Sequence, residues 1–377
     1  MEVYFDNSAT TKVSTKAAAA VLKLMTEDFG NPSSLHSKGL EAEHHLTAAR
    51  RIIAASIGAT ESEVIFTSGG TEANNLAVFG AAHARAKRGN RIVTTAAEHS
   101  SVLESCMALE KEGFEVIYIN PDSDGHISVE SIEDAVDKKT ILVSVMAVNN
   151  ETGAIFPVDS IARIIKRKNA PALFHIDAVQ AYGKIPLKTS SLGCDLMTVS
   201  SHKIHGPKGC GALFIKKGVY IKPLLYGGEQ EKKIRPGTEA LPLIVGFAKA
   251  AEEIGDFSRR QENAADLRDY ILTELTKTGG VFVNSPNDAL PYILNISVVG
   301  IRSETMLHYL EKRGVYISSG SACAKGKKSH VLKAMGLDAA RADSALRISF
   351  SSDSTKEQAD ILIKAIKEGM TSLVKAN

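Results

Sequence analysis

"DLMTVSSHKIHGPKGCGALFI", residues 195–215, sets two short apolar, strand-like runs, "DLMTVS" (195–200) and "GALFI" (211–215), on either side of a polar, glycine-rich turn. Runs of the same size recur upstream: "EVIFTS" (63–68), "RIVTT" (91–95), "EVIYI" (115–119), "ILVSVMAV" (141–148) and "ALFHID" (172–177). Amphipathic helical segments, such as 72–88 and 158–168, lie between several of them. This alternation predicts a mainly parallel α/β sheet covered by helices on both faces.

Past about residue 240 the pattern changes. A long helical stretch (241–277) leads to a strand in "YILNISVVG" (292–300), a helix at 303–313, strands at "VYIS" (315–318) and "ALRISF" (345–350), and a last helix at 355–374. That reads as a smaller α+β domain. The expected division is a large α/β domain over 15–255 and a small α+β domain made of 1–14 and 256–377. The 377 residues exceed what one core usually supports, which agrees with two domains. A net charge of +2 gives no reason to invoke nucleic acid or an anionic membrane, and the longest apolar runs are too short to span a bilayer. "MEVYFDNSATTK" lacks the basic and apolar regions of a signal peptide, and four cysteines without CxxC spacing favour a reducing cytosol over disulfides or zinc. The expected compartment is cytoplasmic.

In open α/β sheets ligands sit beyond the carboxyl ends of the strands. There the sequence places "GGTEANN" after 63–68, "AAEHSS" after 91–95, "NNETG" after 141–148, Asp177 and Gln180 at the end of 172–177, and "SHKIHGPKGCG" after 195–200. The glycine pair and hydroxyl of "SGGTEANN" (68–75) suit a phosphate at a helix N-terminus, although Thr71 with Glu72 can equally be a helix cap. Asp177 ends an apolar strand, where an unpaired carboxylate is expensive. It needs a cation, which can be Lys, Arg or the protonated ring nitrogen of pyridoxal phosphate. His99 can stack on an aromatic cofactor and shuttle protons, or simply be hydrogen-bonded. Lys203, just past a strand and flanked by Ser200, Ser201 and His202, is the amine that forms a Schiff base with a carbonyl, and its neighbours suit that compound's phosphate.

The chain resembles the cysteine desulfurases of the class V, pyridoxal-phosphate-dependent aminotransferase superfamily. The resemblance runs through "YFDNSATT" (4–11), "GNPSSLHSKG" (30–39), "FTSGGTEANN" (66–75), "AAEHSS" (96–101), "VNNETG" (148–153), "HIDAVQAYGK" (175–184), "SSHKIHGPKGCGALF" (200–214), "RPGTE" (235–239), "SSGSAC" (318–323) and "LRISF" (346–350). It implies a fold-type I α/β homodimer. Lys203 is then the aldimine lysine, Asp177 faces the pyridinium nitrogen, Gln180 bonds the phenolic oxygen and His99 stacks on the ring. Gly70, Thr71, Ser200 and His202 hold the phosphate, with Thr238 reaching in from the other subunit, and Asn150 and Arg347 hold the carboxylate of L-cysteine.

Cys323 sits in "SSGSACAKGKKSH" (318–330), a setting no packed core would choose, with Lys325, Lys327 and Lys328 favouring its thiolate. The resemblance implies a role for that thiolate, which attacks the substrate sulfur and leaves alanine and a persulfide that feeds iron–sulfur cluster, thio-cofactor or tRNA thiolation pathways. Four residues beyond Ser319, its reach from that end is at most about 14 Å. Only "AKGKK" (324–328) separates it from "SHVLKAMG", a shorter loop than in members that feed iron–sulfur scaffolds, so the expected sulfur acceptor is a protein that docks at the cleft mouth. The three lysines favour an acidic patch on it, or only keep the loop soluble. "RPGTEA" also departs from the family in Pro236 and Ala240. The rival readings are a selenocysteine lyase or another class V aminotransferase, which would not need Cys323, a phosphate- or nucleotide-binding regulator, and a thiol hydrolase.

Overall fold

The apolar runs fold as strands at nearly the positions their composition predicts. The computed structural model describes residues 2–319 and 329–374; Cys323 and Lys325, Lys327 and Lys328 lie outside the described residues. The strands are β1 (Val3–Tyr4), β2 (Val64–Thr67), β3 (Arg91–Thr95), β4 (Glu115–Ile119), β5 (Thr140–Met146), β6 (Leu173–Asp177), β7 (Leu196–Ser200), β8 (Gly211–Ile215), β9 (Val281–Val283), β10 (Ile293–Val298), β11 (Val315–Tyr316) and β12 (Ala345–Ser349). Seven of them form the central sheet in the order β2-β8-β7-β6-β5-β3-β4. Only β8 runs antiparallel to its neighbours; the other pairs are parallel. The reason is local, since the short connection from Ser201 to Cys210 leaves no room for the crossover that a parallel pair needs.

Successive side chains of a strand point to opposite faces, and both faces here are apolar. Val64 and Phe66 pack in one cluster with helices α1 (Thr15–Thr26) and α2 (Ser37–Ser56) and the helix Leu241–Glu252. Ile65 points the other way, into a cluster with α3 (Gly70–Arg85) and α4 (Ser100–Lys111). A third cluster joins Val3 and Phe5 to Leu294, Ile296, Leu346 and Ile348 of the three-stranded sheet β12-β10-β9, and to the helices Phe257–Thr276 and Lys356–Ser372. No helix among the described residues is long and apolar enough to cross a membrane.

The stretch expected as one helix over 241–277 is two. Leu241–Glu252 stops before Gly255, and Asp256 caps the next helix, its carboxylate accepting the Ser258 N–H at 2.9 Å. A helix-breaking glycine and a strong N-cap residue outweigh the continuous apolar period.

Candidate active site

Five segments converge on one edge of the central sheet, because β2, β3, β5, β6 and β7 all run the same way and end there. Asp177, the last residue of β6, is 3% exposed, and no Lys or Arg pairs with it among the described residues. Its carboxylate accepts the Asn74 side-chain N–H at 2.7 Å and the Val179 N–H at 2.9 Å. Asn74, one turn into α3, donates its second N–H to Ser101 Oγ at 2.8 Å. Ser101 Oγ in turn lies 2.8 Å from His99 Nδ1.

His99 caps α4: its Nδ1 accepts the Ser101 N–H at 3.1 Å, so the neutral ring carries its proton on Nε2. Burial holds the ring below its ordinary pKa, partly opposed by the negative charge of Asp177. The chain Asp177–Asn74–Ser101–His99 therefore links a buried carboxylate to a neutral imidazole through groups whose donors and acceptors match.

Lys203 ends the short turn Ser201–Lys203 that follows β7. The segment 8–11 lies against this turn: the Thr11 N–H and hydroxyl both donate to the His202 carbonyl, at 3.0 and 3.1 Å. Lys203 Nζ donates to the carbonyls of Ser8 and of Ala9, the second at 2.8 Å. Gln180 Nε2 donates to the same Ser8 carbonyl at 3.0 Å. His202 Nδ1 lies 3.2 Å from Thr10 Oγ1, and burial with the nearby Lys203 charge pulls its pKa down to about 4, so it is neutral near pH 7.

The start of α3 has the make-up of an anion cradle. Its N-cap is Gly69, at φ 153° and ψ −175°, a backbone region glycine enters most readily, and Gly70 opens the helix. Thr71 is thus the second helical residue and not the cap, which removes the capping alternative for it; its side chain is exposed. Glu72 bonds back to the Ser68 N–H at 2.7 Å and pairs with Arg235. At the facing strand end Ser200 Oγ is buried with no hydrogen-bond partner among the described residues, an unmet polar group of the kind that a ligand satisfies. Thr238, three residues past Arg235, is exposed.

Arg347 is 1% exposed on β12, unlike the surface position a strand arginine usually takes. Its guanidinium pairs with Asp6 at 2.9 Å and donates to the Asn150 carbonyl at 3.0 Å. Arg347 Nε and Asn150 Oδ1 are both buried without a partner among the described residues. Asn149, beside Asn150, staples the turn after β5 by accepting the N–H groups of Glu151 and Thr152, each at 2.9 Å.

Among the sequence-derived candidates, the described residues thus bring Asp177, His99, Gln180, Lys203, His202, Ser200 and Gly70 to one sheet edge, with Arg347 and Asn150 joined to each other. Sequence reasoning missed Asn74, Ser101 and the carbonyls of Ser8 and Ala9. Asn74 had a faint signal: it is a polar residue beside Ala73, Leu76, Ala77 and Ala81, on the buried side of α3.

A cradle for an anion, an amine at the same sheet edge and a buried carboxylate that no cation pairs among the described residues are what a phosphorylated pyridine aldehyde needs, so the residues present fit pyridoxal phosphate and the class is a pyridoxal-phosphate enzyme. Comparison with known proteins agrees. The family model for aminotransferase class-V matches residues 3–362. Cysteine desulfurase IscS of Methanosarcina thermophila is 41% identical over 97% of this chain and 91% of its own length. A solved structure described as a NifS-like protein superposes with a TM-score of 0.94 at 40% identity, covering 99% of this chain and all of that one. Another, described as SspA in complex with cysteine, gives 0.83 at 33% identity, over 94% of this chain and all of that one. The chain belongs to the class-V aminotransferase family and, within it, to the cysteine desulfurases, and is pyridoxal-phosphate dependent.

Proposed function

We propose that the chain converts L-cysteine and its own Cys323 thiol into L-alanine and a Cys323 persulfide. One C–S bond breaks, one S–S bond forms, and the thiol proton ends in the product. The observation that carries the reading is Asp177, a buried carboxylate without a cation among the described residues, at the same sheet edge as the Lys203 amine.

When bound, pyridoxal phosphate supplies an aldehyde for the substrate amine and a protonated ring that draws electrons from Cα. The protein's own groups do the rest. Asp177 would keep the proton on the ring nitrogen, and His99, a neutral imidazole, would lie against the ring. Lys203 would hold the aldehyde, and its freed amine would move the Cα proton. Gly70, Thr71, Ser200 and His202 hold the phosphate, Gln180 the phenolic oxygen, and Asn150 and Arg347 the substrate carboxylate.

Both ends of the segment that carries Cys323 support its role as sulfur acceptor. Ser318 and Arg347 exchange backbone hydrogen bonds of 3.1 and 2.6 Å. Ser329 Oγ donates to Glu151 Oε2 at 2.5 Å, and His330 Nε2 bonds the Glu98 carbonyl, next to His99, at 2.8 Å. The segment thus starts beside Arg347 and returns beside His99. From Ser319, Cys323 has a reach of about 14 Å.

The proposal extends to a homodimer in which Thr238 serves the partner's phosphate site. Leu22, Met25, Phe29, Leu35 and Leu40, each more than half exposed, support a covered surface between residues 22 and 40. It also extends to an acceptor protein for the sulfur, in iron–sulfur cluster assembly or thiolation, which the IscS names of the relatives support. The division into 15–255, and 1–14 with 256–377, is supported by the separate apolar cluster that joins Val3 and Phe5 to the C-terminal residues. The test is alanine release from L-cysteine by the wild type, Lys203→Ala and Cys323→Ala. Alanine from the wild type alone supports the reading; equal alanine from either variant contradicts it.

A further inference from the structure

Lys184 is a buried amine that none of these roles uses. It lies four residues past Gln180, on tight turns after β6 in which the Tyr182 and Lys184 N–H groups bond back to the Ala178 and Ala181 carbonyls, at 2.8 and 3.0 Å. The residue is 8% exposed, and Nζ donates to Gln180 Oε1 at 3.2 Å. No carboxylate pairs with it among the described residues. Burial, with the positive charges of Lys203 and Arg347 adding to it, pulls the amine down to about 7. Lys184 and Lys203 line one cavity of about 590 Å³.

A buried amine whose charge meets only cations among the described residues is costly to protonate, and an apolar side chain of similar length would fill the space without that cost. Its position suggests what it does instead. An amide has a donor end and an acceptor end, whereas Lys184 below about pH 7, in its ammonium form, offers donors only. With Lys184 Nζ at Oε1, Gln180 must turn Nε2 the other way, where it meets the Ser8 carbonyl that also receives Lys203 Nζ. The N–H end of Gln180 and the Lys203 amine thus address one spot from two different elements.

We propose that Lys184 is a positioning residue that locks the Gln180 amide with its N–H toward the phenolic oxygen of pyridoxal phosphate and disfavours the flipped amide. The proposal rests on the pyridoxal-phosphate reading of the site. Its test compares wild type, Lys184→Met, Lys184→Arg, Gln180→Leu and the Lys184→Met/Gln180→Leu double variant. Three quantities are read: melting of the apoprotein, the dissociation constant for pyridoxal phosphate at pH 6, and the pH midpoint of the bound cofactor's visible band.

Lys184→Met is expected to melt at or above the wild type at pH 6, since it loses a buried charge that no carboxylate pairs among the described residues, yet to bind the cofactor about three- to tenfold more weakly. Its band midpoint should move up, because the phenolic oxygen loses a donor that favours its ionised form. Gln180→Leu should do the same, the double variant should be no worse than Gln180→Leu alone, and Lys184→Arg should keep the wild-type midpoint. Lys184→Met matching the wild type in both cofactor readouts overturns the proposal. So does a double variant whose loss is the product of the two single losses, or an Arg variant shifted as far as Met. A wild type that binds no pyridoxal phosphate overturns the reading of the site itself.

Discussion

Asn74 connects the two groups that define the site, since one side-chain amide donates to both Asp177 Oδ2 and Ser101 Oγ. Hydrogen bonds to charged groups are worth about 1.5–3 kcal/mol, so Asn74→Ala should lower kcat/KM for L-cysteine by roughly ten- to a hundredfold. Steady-state kinetics check this, and a variant within twofold of wild type would remove Asn74 from the network. Asp177 and Lys203 were legible in the sequence because each is chemically out of place, a carboxylate closing an apolar strand and an amine at a strand end. Asn74 was not, because an asparagine inside an amphipathic helix signals nothing until its face is known to be buried. The Ser8 and Ala9 carbonyls left no trace either, as backbone acceptors have no side-chain identity to read.

Strands were the elements most legible in the sequence: 91–95, 115–119 and 211–215 form over the residues expected. Strands buried on both faces are near-continuous apolar runs, which composition reveals directly. Helix ends were less visible, as the break at Gly255–Asp256 shows, because one cap outweighs a long period. At the edge itself, Gly211 opens β8 directly against the cradle. A Cβ there would sit 2.8 Å from both Gly69 Cα and the Val199 carbonyl, backbone atoms that cannot turn aside. Gly211→Ala should therefore cost about 1–3 kcal/mol in denaturant unfolding and loosen cofactor binding. Unchanged stability would show that the strand and the Gly69 turn can separate freely.

His175 makes a second element-scale test. Fully buried on β6, it lies 2.8 Å from Ser144 Oγ of β5 and 3.0 Å from Thr198 Oγ1 of β7, and burial lowers its pKa to about 3. Between about pH 6.5 and 3 the unfolded chain binds a proton that the native ring refuses, so stability is full above that window and falls with pH inside it, by roughly 1.4 kcal/mol per unit at most. His175→Gln should lose less stability than the wild type between pH 6.5 and 5, measured by urea unfolding at equal cofactor loading. Parallel losses would mean that the ring takes up its proton in the native state.

The whole molecule joins a large, mainly parallel sheet to C-terminal elements so that Arg347 on β12 stands with Asn150 beyond β5, a juxtaposition no local sequence window contains. The apolar side chains between residues 22 and 40 bear on the scale above one chain. Light scattering should give the mass of two chains for the wild type and of one for Phe29→Glu/Leu35→Glu, whereas a monomeric wild type would end the homodimer proposal. In the proposed reading the chemistry of the whole molecule turns on one lysine. With the protein loaded with pyridoxal phosphate, borohydride reduction and peptide mapping should place a phosphopyridoxyl group on Lys203 and on no other lysine. A label on Lys184, its neighbour across the cavity, or on no lysine at all would contradict that assignment.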